Sequence, residues 1–224
     1  MKTIILSLGG SVVLSDEANV TFLKNLAIML QKISEQYKLF VIVGGGKIAR
    51  QYIQLGRTLG FHEQLLDQLG IDITRVNARV LTNLLNESNK EMPYTTSEAI
   101  KLKHKIIVMG GTNPDHSTDL VGAELAEKTK AVRFVNATNV DGIYDKDPHK
   151  YPDARQLKEV TIDHLIQTYG TTWDAAGKNV IMDGPALAVI KKAHIPTFVV
   201  NGKRLDELEK ALMGQSFNGT TILS

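Results

Sequence analysis

The sequence predicts an α/β fold, a mainly parallel open sheet with helices on both faces. Apolar β-rich runs alternate along the chain with stretches of helical periodicity. The runs are near-continuous in Val, Ile, Leu and Phe, as suits strands buried on both sides. Three of them end in glycine clusters, at the edge where a parallel sheet binds its ligands.

The expected strands are TIILSL (3–8), LFVIV (39–43), KIIVMG (105–110), VRFVNAT (132–138) and PTFVV (196–200). A helix fits 20–36, where Phe22, Leu23, Leu26, Ala27, Leu30 and Ile33 form one stripe and Lys24, Gln31, Lys32 and Glu35 lie off it. A long helical pattern covers 62–86, with a break or kink expected at Gly70. Further helices fit 118–129, 161–168, 185–193 and 204–213. Residues 139–156, dense in Asp, Pro and Gly, read as an ordered binding loop, because an irregular stretch of that length is usually functional or disordered.

Composition narrows the function. The chain has 224 residues, 43% of them hydrophobic, enough for one sizeable core or two fused lobes. Its 26 basic and 24 acidic residues leave a formal charge of +2 without a basic block, which argues against nucleic acid as a partner. There is no cysteine, so disulfides, thiolate metal sites and a cysteine nucleophile are excluded. The six histidines never stand three or four apart, so no metal site is expected. No stretch approaches the ~20 apolar residues of a membrane span, and the N-terminal run reads as a strand rather than a signal peptide. A soluble cytoplasmic protein is the expectation.

The chemistry is concentrated in Gly9-Gly10-Ser11, Gly44-Gly45-Gly46 and Gly110-Gly111-Thr112, which follow the first three strands. Glycine lets backbone N–H groups approach an oxygen, and a following helix adds unpaired donors. Gly44-x-Gly46-x-x-Ala49 formally satisfies a dinucleotide pattern, with Glu63 or Asp67 near the place of a ribose-binding acid. That acid should end a second strand, and residues 61–85 have helical spacing instead. A Walker loop is excluded as well, since Lys47 lacks both the glycine spacing and a following hydroxyl residue. What remains is a backbone nest with two cations, Lys47 and Arg50, at the start of a helix.

These residues, with LGGS (8–11), VGGGKIARQYI (43–53), LDQLGIDITRVNA (66–78), MGGTNPDHSTD (109–119), ATNVDGIYDKDP (137–148) and NGTTI (218–222), resemble the uridylate (UMP) kinases of the archaeal type in the amino acid kinase superfamily. The resemblance spans essentially the whole chain. It implies a three-layer α/β/α sandwich on a mainly parallel sheet, with an acceptor lobe over about 1–130 and an ATP lobe over about 131–224. It also implies a homohexamer, and ATP-dependent phosphorylation of UMP to UDP in pyrimidine nucleotide synthesis. In that resemblance Gly9, Gly10, Gly46, Arg50, Thr138, Asn139, Tyr144 and Asp147 serve ATP. Gly45, Asp67 and the loop Thr112, Asn113, Pro114, Asp115, His116, Ser117 and Thr118 serve UMP. Mg²⁺ would be held mainly by substrate phosphates.

Two departures stand out. Many superfamily members place a lysine on the first strand where this chain has Ser7, and Lys47 is the expected replacement at the transferring phosphoryl group, with Arg50 beside it. Gly184 follows Asp183 where the family often has Pro, which leaves Asp183 without an assigned role. Trp173 has none either.

Overall fold

The computed structural model describes residues 1–13, 20–148, 150–172 and 181–224. Trp173 lies outside the described residues. In chain order the first half holds β1 (Lys2–Leu8), α1 (Gly10–Val13), α2 (Val20–Ser34), β2 (Tyr37–Val43), α3 (Gly46–Thr58), α4 (Glu63–Leu84), α5 (Thr96–Lys101), β3 (Ile106–Met109) and α6 (Thr118–Thr129). The second half holds β4 (Arg133–Thr138), β5 (Ile143–Tyr144), β6 (Gln156–Leu157), β7 (Glu159–Thr161), α7 (Ile162–Tyr169), α8 (Gly184–Ala193), β8 (Thr197–Asn201), α9 (Leu205–Met213) and β9 (Gly219–Leu223).

One sheet of seven strands runs β3-β2-β1-β4-β8-β9-β7, and every neighbouring pair is parallel except β8 with β9. Its centre is apolar on both faces: Ile4, Ile5, Leu6 and Leu8 of β1, Leu39 to Val43 of β2 and all of β3 are buried. Such strands need a helical layer on each side. Helices α6 and α8 pack together over one face, where α6 meets β1, β2 and β4; α2, α4 and α9 cover the other. The chain steps from β1 through β2 to β3, then returns to β4 on the far side of β1. The connections leaving β1 and β4 therefore diverge, opening a crevice at their carboxyl ends.

Two expectations are corrected. Gly70 does not break α4, which is continuous from Glu63 to Leu84. A Cβ there would stand 3.3 Å from the Ile53 Cδ1 of α3, so the glycine serves close helix contact rather than a bend. The 139–156 stretch is not wholly irregular, because β5 and β6 pair in antiparallel fashion within it. The Gln156 amide donates to the Asp141 carbonyl at 2.6 Å and the Arg155 N–H to the Asp145 carboxylate at 2.9 Å, which orders the hairpin. All three glycine clusters reach the crevice, the third through Gly111, but they are built differently. At Gly110 a Cβ would lie 2.6 Å from Thr74 Oγ1 and 2.7 Å from the Arg75 nitrogen, so this glycine lets β3 end against α4.

Candidate active site

A cleft of about 610 Å³ opens at the carboxyl ends of β1 and β4, within the size range of small-molecule sites. The glycines of the first two clusters meet along one wall. Gly45 is in the right-handed helical region (φ −80°, ψ −26°) and Gly46 in the left-handed one (φ +66°), the alternation that turns successive N–H groups toward one point. The Asn77 amide of α4 fixes the direction, donating to the Gly44 carbonyl at 2.8 Å and the Gly45 carbonyl at 3.3 Å. Across planar trans peptides, the N–H groups of Gly45 and Gly46 then point away from Asn77. The nest heads α3, whose dipole adds positive potential. Arg50, one turn along, lines the cleft. Together these groups make an anion site.

Gly10 presses against this nest, and the Gly9 N–H is held by the Ala137 carbonyl of β4 at 2.9 Å. The opposite wall comes from Asn136, Ala137, Thr138 and Asn139 at the end of β4. Between the walls lie the N-termini of α6 and α8. The Ser117 hydroxyl caps α6, accepting from the Leu120 N–H at 2.9 Å, and Asp183 caps α8, accepting from the Ala186 N–H at 2.9 Å. Ser117 also donates to Asp183, joining the two caps. Asp183, left without a role by the sequence, thus stands in the floor of the cleft. Its cap signature, Asp followed by Gly-Pro at the head of an apolar helix, is the signal that locates it.

Beside Asp183 is Asp119, which sequence reasoning missed. The buried Ser7 hydroxyl donates to Asp119 Oδ1 at 2.7 Å. Burial pushes this carboxyl up to about 7, the negative charge of Asp183 adds to the rise, and hydrogen bonds from Ser7 and Asn136 oppose it. At the end of the first strand this chain therefore sets a hydroxyl against a carboxyl group that titrates near neutrality. The folded state binds the extra proton between the ordinary value of 3.8 and about 7, so this group's contribution to stability is complete below 3.8 and is lost as pH rises through 7. Asp119→Asn is expected to raise the melting temperature more at pH 8 than at pH 5, as measured by thermal unfolding. An equal gain at both pH values would contradict the linkage.

The acceptor side is built on α4. Asp67 is partly buried and accepts from the Asp115 N–H at 3.0 Å through Oδ2. Burial raises its carboxyl above the usual range, and the Asp115 N–H works against that rise. Asp115 holds φ at +62°, which bends the 113–118 loop over the cleft. With Asp67 in the cleft wall, a ribose is within its chemistry. With the acceptor that the resemblance implies, Asp67→Asn is expected to raise the Michaelis constant for UMP about tenfold and to narrow its advantage over dUMP, since charge-assisted bonds are typically worth ~1.5–3 kcal/mol. Steady-state kinetics with both acceptors at saturating ATP check this, and wild-type constants for both would make Asp67 only a loop clasp.

Of the residues singled out from the sequence, Gly9, Gly10, Gly45, Gly46, Arg50, Asp67, Asn113, Asp115, His116, Ser117, Thr118, Thr138 and Asn139 line the cleft. Lys47, Thr112, Pro114, Tyr144 and Asp147 do not. Lys47 is exposed on the first turn of α3. Thr112 is buried, with its hydroxyl 3.4 Å from His116 Nδ1. Tyr144 and Asp147 belong to the β5–β6 hairpin region, beyond Asn139; burial, and then the charge of Asp141, raises the Tyr144 phenol. Among the described residues no group of three or more His, Cys, Asp or Glu side chains is placed to hold a metal ion.

A parallel sheet with a nest, an arginine and two capped helix N-termini around one cleft defines an α/β protein that handles phosphate groups. The model of the amino acid kinase family matches residues 2–201, and the chain belongs to that family. It is 41% identical over 223 residues to a uridylate kinase of Methanothermobacter thermautotrophicus, covering 98% of both chains. The solved structure of a uridylate kinase from Archaeoglobus fulgidus superposes with a TM-score of 0.85 at 38% identity, covering 99% of this chain and 100% of that one. A solved isopentenyl phosphate kinase, 18% identical with a TM-score of 0.72 and covering 98% of this chain and all of the other, shares the fold.

Proposed function

We infer that the chain is a nucleoside monophosphate kinase that moves the γ-phosphoryl group of ATP to UMP, giving UDP and ADP. The observation that carries this reading is a cleft in which the 44–46 nest with Arg50 faces the Thr138–Asn139 edge, under the loop clasped by Asp67. Full-length similarity to uridylate kinases supports the choice of acceptor.

In this reading a UMP phosphate oxygen attacks the γ-phosphorus, and the bridging oxygen leaves with ADP. Such transfers ask little covalent work of a protein, mainly in-line positioning and neutralisation of moving charge. The Gly45 N–H receives the acceptor phosphate, while Gly9, Gly10 and Gly46 border the donor phosphates. Arg50, the cleft-lining member of the cation pair, meets charge at the transfer point, and exposed Lys47 adds field from outside. Thr138, Asn139, Tyr144 and Asp147 take the nucleoside of ATP, and the 112–118 loop takes uracil. Magnesium enters with ATP as part of that substrate. The acceptor half is about 1–130 and the donor half about 131–224. Incubation with ATP, Mg²⁺ and UMP, followed by anion-exchange chromatography, should yield UDP; ADP release without UDP would overturn the reading.

Self-association belongs to the same proposal. Tyr52 and Leu55 of α3 and Leu59 at its C-terminal cap are 51%, 55% and 61% exposed and continue into Phe61 and Leu65, an apolar strip suited to a second copy. A homohexamer is the expected state, and light scattering distinguishes six chains from one. No helix among the described residues is long and apolar enough to cross a membrane. Cytoplasmic pyrimidine nucleotide synthesis is the setting we propose.

A further inference from the structure

We propose that Arg75 is a positioning residue that aims the acceptor loop's backbone donors at a keto edge and thereby selects uridine over cytidine monophosphate. The proposal rests on the uridylate kinase reading and deepens it. Arg75 of α4 does not line the cleft; it lies beneath the loop that does. Its Nε donates to the Gly111 carbonyl at 3.2 Å and its Nη2 to the Thr112 carbonyl at 3.0 Å. The guanidinium is held from two other sides, 4.4 Å from the centre of the Tyr94 ring and 3.5 Å from the Asp72 carboxylate. Only 17% of its side chain is exposed.

Two consecutive carbonyls drawn to one arginine have a stereochemical consequence. In a trans peptide the N–H lies opposite the C=O, so the Thr112 and Asn113 N–H groups are turned away from Arg75, toward the side on which Gly111 and Asn113 border the cleft. The Gly111 N–H is already engaged by Thr74 Oγ1 at 2.7 Å, which fixes the start of the run. Paired N–H donors suit the acceptor-only O4 of uracil. Cytosine presents an amino donor at that position, so donor would face donor. Asn77 treats the phosphate nest in the same way from the same helix, drawing on the Gly44 and Gly45 carbonyls. Helix α4 thus orients the backbone of both loops.

The test is kcat/KM for UMP and for CMP, with KM for ATP, in the wild type, Arg75→Met and Arg75→Lys. Methionine keeps most of the stem and removes the donors, whereas lysine keeps the charge and the contact with Tyr94 but cannot span both carbonyls. The expected result is a fall of about tenfold or more in the UMP:CMP ratio of Arg75→Met, with KM for ATP unchanged and Arg75→Lys in between. A wild-type ratio in folded variants, including an equal loss toward both acceptors, overturns the proposal. If Arg75→Met fails to fold, the ratio in Arg75→Lys decides the matter by the same criterion. A wild type that turns over CMP as well as UMP overturns the acceptor reading itself, which separates the two failures.

Discussion

Gly10→Ala is expected to lower kcat/KM by about 10³ and to cost on the order of 1–3 kcal/mol of stability. A Cβ at this position would stand 2.3 Å from the Gly44 carbonyl oxygen, 2.3 Å from the Gly46 nitrogen and 2.6 Å from the Gly45 carbonyl carbon. All three are backbone atoms, so no side-chain rotation relieves the clash. The β1 loop and the nest must separate, and a displacement of about 1 Å at a reacting centre costs on the order of 10² in rate by itself. Gly9→Ala is the comparison, since its nearest contact, the Ala137 carbonyl oxygen, stands 3.1 Å away and a few tenths of an ångström of movement suffice. Steady-state kinetics and urea denaturation of both variants give the measurement. Wild-type activity in Gly10→Ala would mean that the two loops are not jointly part of the reacting site.

Arg50→Ala is expected to reduce kcat by ~10²–10³, the usual cost of removing one preorganised charge from a site where charge develops. The geometry assigns the larger effect to Arg50 because it lines the cleft and Lys47 does not, although both side chains are exposed. Lys47→Ala should therefore lose less than tenfold, mainly in kcat/KM, because its charge stands outside the cleft lining. At saturating ATP and UMP, the ranking of the two variants is the result to read. A larger loss of turnover in Lys47→Ala would return the phosphoryl role to the lysine.

The two cations mark where the sequence was informative and where it was silent. Both cations are visible in GGGKIAR, but which one meets the cleft depends on how the first turn of α3 is rotated. That rotation is fixed by tertiary contacts, with Gly56 of α3 against Leu66 of α4 and Gly70 of α4 against Ile53 of α3. The central strands were legible because burial on both faces leaves uninterrupted Val, Ile and Leu. Strands β7 and β9 were not, since EVT and GTTIL are short and carry threonines in place of an uninterrupted apolar run. The six-residue α5 is below the length at which periodicity speaks. The nest could be located from its glycines, yet its alternating backbone conformations and its tie to Asn77 belong to the fold.

The buried floor was hidden for a related reason. Ser7 and Asp119 are 112 residues apart, and Ser117 and Asp183 are 66 apart. No local pattern records such pairings. The sequence showed the helices at 118–129 and 185–193, and only the sheet order brings their capped starts at Ser117 and Asp183 to the same crevice.

The central claim is that this cleft accepts a uridine monophosphate, and the relative kcat/KM of UMP, CMP and isopentenyl phosphate at fixed Mg²⁺ and ATP tests it most directly. A site whose buried polar groups match one substrate can reject a mismatched analogue by ~10⁴, because its own groups are then left unpaired. UMP is expected to exceed CMP by about that factor, and isopentenyl phosphate is expected not to be phosphorylated. Turnover of CMP or isopentenyl phosphate equal to that of UMP would contradict it.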